Sequence, residues 1–300
     1  MTASVTPSPP SRARPLDRLA SAIMLLPAGI AIAVFVLVPA VLSLVGSLFR
    51  IPLAGGAWSF VGLDNFVRVL TDPAVLQAIR NTLVYSALTI IPSLLLGLAL
   101  ALLTNAAGRV RPLVRTLLFL PMTANLVAIS VVFSWIFSFP GGFVNQLIGV
   151  FGAEPVNWLG DTATALPVVA LVGVWRTASL TMLIFFAGLA TIPTSIDEAA
   201  QAEGIRGLRK LVLVTLPMIR PNAVFACVLA ILGSVQVFDT INVMTRGGPL
   251  GSTETVLTMV WRIGFGYFDL GAASALALML LVLLIGVGLL QRRTLSGWER

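Results

Sequence analysis

The sequence predicts an all-α, polytopic membrane protein with six transmembrane helices, and three observations predict it. Hydrophobic residues make up 58% and charged residues 10% of the 300 positions, whereas a soluble domain is about half apolar and about one quarter charged. Mean hydropathy is +1.00. The apolar residues also gather into six stretches, at 19–48, 79–103, 113–137, 165–190, 220–243 and 270–290. Each is long enough to cross a bilayer as a helix, which takes about 20 residues.

The N-terminal residues 1–18 are rich in Ser and Pro and read as a disordered cytoplasmic tail. Arg12, Arg14 and Arg18 lead into the first stretch, whose apolar run is much longer than a signal peptide's and has no small-x-small site after it. It reads as a retained span that, with an interfacial segment, fills 19–75. In that segment Asp64 is placed to cap a short helix carrying Phe66, Val67 and Leu70. Asp72-Pro73 supplies an N-cap and a first-position proline for the second span. The main transmembrane unit is 76–291, containing the connecting loop 192–218, and 292–300 is a cytoplasmic tail.

The loop between the third and fourth spans contains Pro140-Gly141-Gly142, Glu154-Pro155 and Asn157-Trp158. Its glycines and prolines predict turns, and Trp158 suits the membrane interface. The loop 192–218 is unlike an ordinary connector. Ser195 and Glu198 fit a capping box, Asp197 and Glu198 complement the helix dipole, and Ala199, Ala200 and Ala202 are strong helix formers with little bulk. Gly204 stands where a left-handed C-cap ends the helix. A second helix follows, with Arg206, Arg209 and Lys210 on one side and Leu208, Leu211 and Val212 on the other, before Pro217 and Pro221.

Net charge is +7, and position explains it. With the N-terminus inside, inner segments hold thirteen of the 19 basic residues: Arg12, Arg14, Arg18, Arg109, Arg111, Arg115, Arg206, Arg209, Lys210, Arg220, Arg292, Arg293 and Arg300. That bias follows the positive-inside rule and places the loop 192–218 in the cytoplasm. It is about topology, so nucleic acid is excluded as a partner. The chain has no histidine and a lone cysteine, Cys227, so no metal site or intrachain disulfide is expected. It also lacks the Gly-x-x-x-x-Gly-Lys-Ser/Thr loop that cradles ATP phosphates.

Glu198-Ala199-Ala200, then Glu203-Gly204, then Leu216-Pro217 after a basic stretch, resembles the "EAA" loop of permease subunits of bacterial binding-protein-dependent ABC importers. Glu203 for aspartate is a mild departure, and Ile205 for a small residue a larger one. Gly62-Leu63-Asp64-Asn65-Phe66 and Thr245-Arg246-Gly247-Gly248-Pro249 with Ser252-Thr253 are similar to signatures of the carbohydrate-uptake branch. The resemblance spans about Phe60 to Leu290. It implies a type I importer fold, a second permease, two ATP-binding subunits that bind the nucleotide, an extracytoplasmic solute-binding protein, and no cofactor or enzyme activity in this chain. Glu198, Ala199, Ala200, Glu203 and Gly204 are then the ATPase-coupling residues of a subunit in the bacterial inner membrane, with both termini cytoplasmic.

Polar groups within spans are costly and are functional candidates. Trp175, Arg176 and Thr177 lie in the fourth span. Ser234, Gln236 and Asp239 lie in the fifth, where Gln236 and Asp239 are three apart and share a helix face. Planar polar groups bind hydroxyls and aromatic faces bind sugar C–H surfaces, so these six form the expected substrate path. Asn125 in the third span ranks below them. A structural ion pair between Arg176 and Asp239, and a helix-packing role for Ser234, stand as alternatives. An ion-gradient-driven secondary transporter is the rival function; it predicts an internal repeat and intramembrane acids, of which Asp239 is the one candidate.

Overall fold

A computed structural model of the chain describes residues 15–51, 57–106, 108 and 111–296. Most of residues 1–18, including Arg12 and Arg14, lies outside these, as do Arg109 and Arg300. The first helix, α1, runs without interruption through Pro15–Ile32, a π-helical stretch Ala33–Leu37, and Val38–Ser47. Residues 15–18, expected in the tail, are therefore helical. A pair of two-residue strands, Phe49–Arg50 and Ser59–Phe60, leads to α2 (Asp64–Thr71). Leu63, not Asp64, is the N-cap there, and the Asp64 carboxylate instead faces Arg50 at 3.4 Å.

The 34-residue α3 (Pro73–Ala106) starts as its sequence dictates. The Asp72 carboxylate accepts from the Ala74 N–H at 2.8 Å, and Pro73, lacking a donor, takes the first position. The third apolar stretch divides into α4 (Arg111–Thr123) and α5 (Leu126–Ile136), bent by 94°. Pro121 removes a donor just before the bend. Asn125 then turns extended and caps α5, its Oδ1 accepting from the Ala128 N–H at 3.2 Å. The expected straight third span is thus a broken one, and Asn125 sits at the break.

After α6 (Phe143–Val150) comes a loop organised by the buried Asn145. Its amide donates to the Ser138 and Val156 carbonyls, each at 3.0 Å, and its oxygen accepts from the Trp158 indole N–H at 3.0 Å. Trp158 is folded back edge-on against Phe137, because a buried indole N–H needs an acceptor and Asn145 provides one. The fourth span, α7 (Ala165–Ala190), has the ends the sequence predicts. It is followed by α8 (Thr194–Ala202) and by α9, which comprises Gly207–Lys210, a π-helical stretch Leu211–Thr215 and Leu216–Met218.

The fifth stretch divides into α10 (Arg220–Val235) and α11 (Asp239–Met244). Then come α12 (Val256–Trp261, continued as a π-helical stretch Arg262–Gly266) and α13 (Leu270–Ser296). The last span continues through 292–296, also expected as tail. Among the described residues, five helical stretches are long and apolar enough to cross a membrane, Arg220–Met244 counting as one, or six if the bent pair is one span.

The largest interhelical contact is between α3 and α7. Small residues permit the approach. A Cβ on Gly97 would collide with Thr181, whose hydroxyl donates to the Ser93 carbonyl at 2.8 Å, and one on Gly173 would collide with the Tyr85 hydroxyl. Apolar clusters fill both ends of this pair. Met182, Phe185 and Ile219 lie at the end nearer α8, and Val172, Val237 and Ile241 at the other. Much of α1 is exposed; its Val38–Ser47 segment packs on α13.

Candidate functional site

The α8–α9 loop is built around its termination signal. Gly204 has φ +73, a conformation that costs an L side chain roughly 1–2 kcal/mol. Its N–H donates to the Gln201 carbonyl at 3.0 Å, and the Ile205 N–H reaches the Ala200 carbonyl at 2.8 Å. These two bonds form a Schellman cap, as the glycine's position predicts. The capping box predicted at the other end does not form. Pro193 is the N-cap, in extended conformation with no side-chain cap bond, so Ser195 and Glu198 already lie within the helix.

Ala200 is buried and anchors α8, whereas Glu198, Ala199, Glu203 and Gly204 are exposed. Lys210 Nζ meets Asp197 Oδ1 at 2.9 Å and ties α9 to α8. Arg209 and Lys210 belong to the second helix, but Arg206 is its extended N-cap rather than part of a basic face. A cleft of about 820 Å³ opens behind this loop, lined among others by Leu102, Asn105, Leu189, Asp197 and Lys210.

Of the residues proposed for a solute path, Trp175, Arg176 and Thr177 lie within α7, and Ser234, Gln236 and Asp239 lie around the break after α10. Trp175 packs on Phe133 of α5 with ring centroids 5.6 Å apart, and α11 packs on α5 from another side. Arg176 is exposed, and Thr177 half-buried. Gln236 is the C-cap of α10, and Asp239 opens α11 after Phe238, whose φ of −138° and ψ of −61° break the helix. Gln236 and Asp239 therefore do not share a helix face, although both are exposed. Among the described residues the ion pairs join Arg50–Asp64, Arg68–Asp269, Lys210–Asp197 and Arg262–Glu254. Arg176 and Asp239 are not paired. Ser234 is buried and donates to the Ile231 carbonyl at 3.0 Å, a packing arrangement.

At the opposite end, the loop after α11 is held by residues that sequence reasoning missed. Arg246, Gly247, Leu250 and Gly251 all have positive φ. Asn81 of α3 is buried and donates to the Gly251 and Glu254 carbonyls at 2.8 and 2.9 Å. The Thr82 hydroxyl accepts from the Val256 N–H at 2.9 Å. Glu254 is 2% exposed and its Oε2 lies 2.5 Å from Arg262, which also donates to the Arg246 carbonyl at 3.2 Å. A Cβ on Gly247 would collide with that carboxylate. Burial pushes the Glu254 carboxyl above its usual range, and Arg262 opposes the shift. The signal for Asn81 was an amide just inside an apolar run. Its partners, 170 and 173 residues away, carried none.

Residues 93–296 match the family described as the binding-protein-dependent transport system inner membrane component. The chain belongs to this permease family. Among the permease's relatives is the sulfoquinovosyl glycerol transport system permease protein SmoG of Agrobacterium fabrum. It is 31% identical over 268 residues, covering 89% of this chain and 87% of the relative. The lactose transport system permease protein LacF of Rhizobium radiobacter is 33% identical over 266 residues, covering 87% and 88%. A chain from the crystal structure of a bacterial alginate ABC transporter, in complex with an alginate pentasaccharide-bound periplasmic protein, superposes with a TM-score of 0.80. It is 23% identical and covers 92% of this permease and 93% of that chain, so the likeness establishes the type I fold. The permease is a multi-pass membrane subunit of a binding-protein-dependent transport system.

Proposed function

We propose that this permease forms one half of the pathway in an ATP-driven importer for a sugar or related polyhydroxylated solute. A second permease supplies the other half, two ATP-binding subunits bind and hydrolyse the nucleotide, and an extracytoplasmic protein delivers the solute. The observation that carries the reading is α8. It is a helix closed at its C-terminus by a Schellman cap, with Glu198, Ala199 and Glu203 exposed, at the end of the bundle opposite the glycine loop. Small side chains on such a face let a partner approach closely. In this reading α8 and both termini are cytoplasmic, and nucleotide-driven closure of the ATP-binding subunits moves α8. A partner can shift the permease between inward- and outward-open states only by preferring one of them. The names of relatives acting on sulfoquinovosyl glycerol and lactose support a glycosidic solute.

Reconstitution in proteoliposomes tests the reading. Uptake should require ATP, both ATP-binding subunits, the second permease and the binding protein. Uptake by this chain alone under an ion gradient would overturn it. In this scheme the unpaired Arg176 lines the path with Trp175, Thr177, Gln236 and Asp239. Arg176→Ala should lower uptake roughly tenfold, the equivalent of about one charge-assisted hydrogen bond, while the subunits still co-purify. Loss of co-purification would instead assign Arg176 to subunit contact.

A further inference from the structure

We propose that a polar cleft of about 340 Å³ at the glycine-loop end receives an acidic side chain of the solute-binding protein, with Arg80 as its counter-ion. The proposal rests on the importer reading above. Three elements wall the cleft: α3 through Gln77, Arg80 and Asn81, the turn before α7 through Thr162, and the glycine loop through Ser252. The two bonds from Asn81 bracket Ser252 in the chain, so the buried amide sets where that serine stands over α3.

Two groups in this cleft lack partners. The Ser252 hydroxyl is buried with no hydrogen-bond partner, a state rare in native structures. Arg80 is exposed and belongs to none of the ion pairs among the described residues. Asp161, beside Thr162, accepts from the Ala163 N–H at 2.7 Å and is likewise in none of these ion pairs. The Arg80 guanidinium and the Gln77 amide both line this space, and donors of that kind fit a carboxylate, which only accepts. A cation would be repelled, and a neutral hydroxyl would leave the guanidinium unanswered.

Position favours a protein carboxylate over one on the solute. Arg176 lies nine residues beyond Pro167 on α7, about 13 Å farther along the helix, so the cleft stands at the bundle end and not beside the broken spans. At its rim Gln77 Nε2 donates to the Leu250 carbonyl at 3.4 Å, and the Leu250 side chain is 90% exposed. A bare leucine beside an unpaired arginine is covered by a protein surface more completely than by a sugar.

The test uses the complete importer in proteoliposomes with its binding protein. Arg80→Glu should raise the binding-protein concentration giving half-maximal ATPase stimulation by about tenfold or more, with a smaller rise for Arg80→Lys. In wild type that concentration should climb with salt, and the climb should flatten in Arg80→Glu. Changing one acidic residue on the binding protein's facing surface to arginine should restore Arg80→Glu. Should Arg80→Glu fail to co-purify with its partners, Arg80→Gln and Arg80→Ala carry the same measurement. Wild-type dependence on the binding protein in these variants overturns the proposal. So does stabilisation of the wild type, and not of Arg80→Glu, by inorganic phosphate with that dependence unchanged, which would mark a small-anion site. A wild-type complex that never needs the binding protein would instead refute the importer reading itself.

Discussion

Gly204→Val should leave the chain inserted and assembled but reduce ATP-driven uptake to a small fraction of wild type. No atom lies within 4 Å of a Cβ built at Gly204, so the variant meets no collision in the permease itself. The cost is conformational. At φ +73 an L residue loses roughly 1–2 kcal/mol, and a β-branched one is a steric outlier. That loss shifts the capped loop against alternatives by a factor of about 5–30. The bonds from Gly204 and Ile205 to α8 carbonyls are the ones released, so α8 frays beside Glu203. Gly204→Asn should retain most uptake, since asparagine tolerates the left-handed region. Glu198→Lys should be as damaging by another route: it reverses an exposed charge on the proposed docking face, where a mismatched contact costs several kcal/mol. Uptake and ATP hydrolysis measured together in the purified complex check both variants. Wild-type values for either would remove α8 from the coupling role.

Arg262→Met should destabilise the glycine loop by about 1–3 kcal/mol at neutral pH, the cost of leaving the buried Glu254 carboxylate without its half-exposed partner. The Glu254 carboxylate, 2% exposed, would lose the guanidinium 2.5 Å away, and the Arg246 carbonyl would lose its donor. The pH dependence has a definite sign. Burial raises the Glu254 pKa in the fold, so between its ordinary and raised values the folded loop binds more protons than the released one. Stability therefore falls as pH rises through that interval. Without Arg262 to oppose the shift, the interval extends to higher pH. The variant's deficit should be greatest at neutral and alkaline pH and should narrow on acidification. Protease susceptibility of the loop across a pH series would measure it, and a deficit that grew on acidification would contradict the assignment. Glu254→Gln with Arg262→Met should recover part of the loss, because it removes the stranded charge.

Much of this protein is legible from local chemistry. The ends of α7, the Asp72-Pro73 start of α3 and the left-handed Gly204 each depend on a few adjacent residues. The errors have a common origin as well. The third and fifth apolar stretches read as uninterrupted helices because hydropathy averages over a window and registers neither the 94° bend in the third nor the short break before Asp239 in the fifth. Asn125 was noticed as a polar residue in a span, yet its side chain caps α5 across a 94° bend. Gln236 and Asp239 were placed on one helix face by a spacing rule that holds only while the helix continues, and Phe238 ends it. The predicted capping box failed by two positions, since Pro193 and not Ser195 is the N-cap and the helix starts at Thr194.

Amino-acid order alone settled the membrane class, the placement of the apolar stretches and the two loops that matter, because burial in lipid and glycine's access to positive φ are properties of short segments. Folding in three dimensions decided which loop residues are held and by whom. Asn81 clasps a turn 170 to 173 residues away, and the Thr82 hydroxyl accepts from the Val256 N–H 174 residues away. Hydrogen bonds and ion pairs of this kind depend on distances that no segment contains. Buried polar groups must find partners wherever the chain brings them, and here those partners come from distant helices.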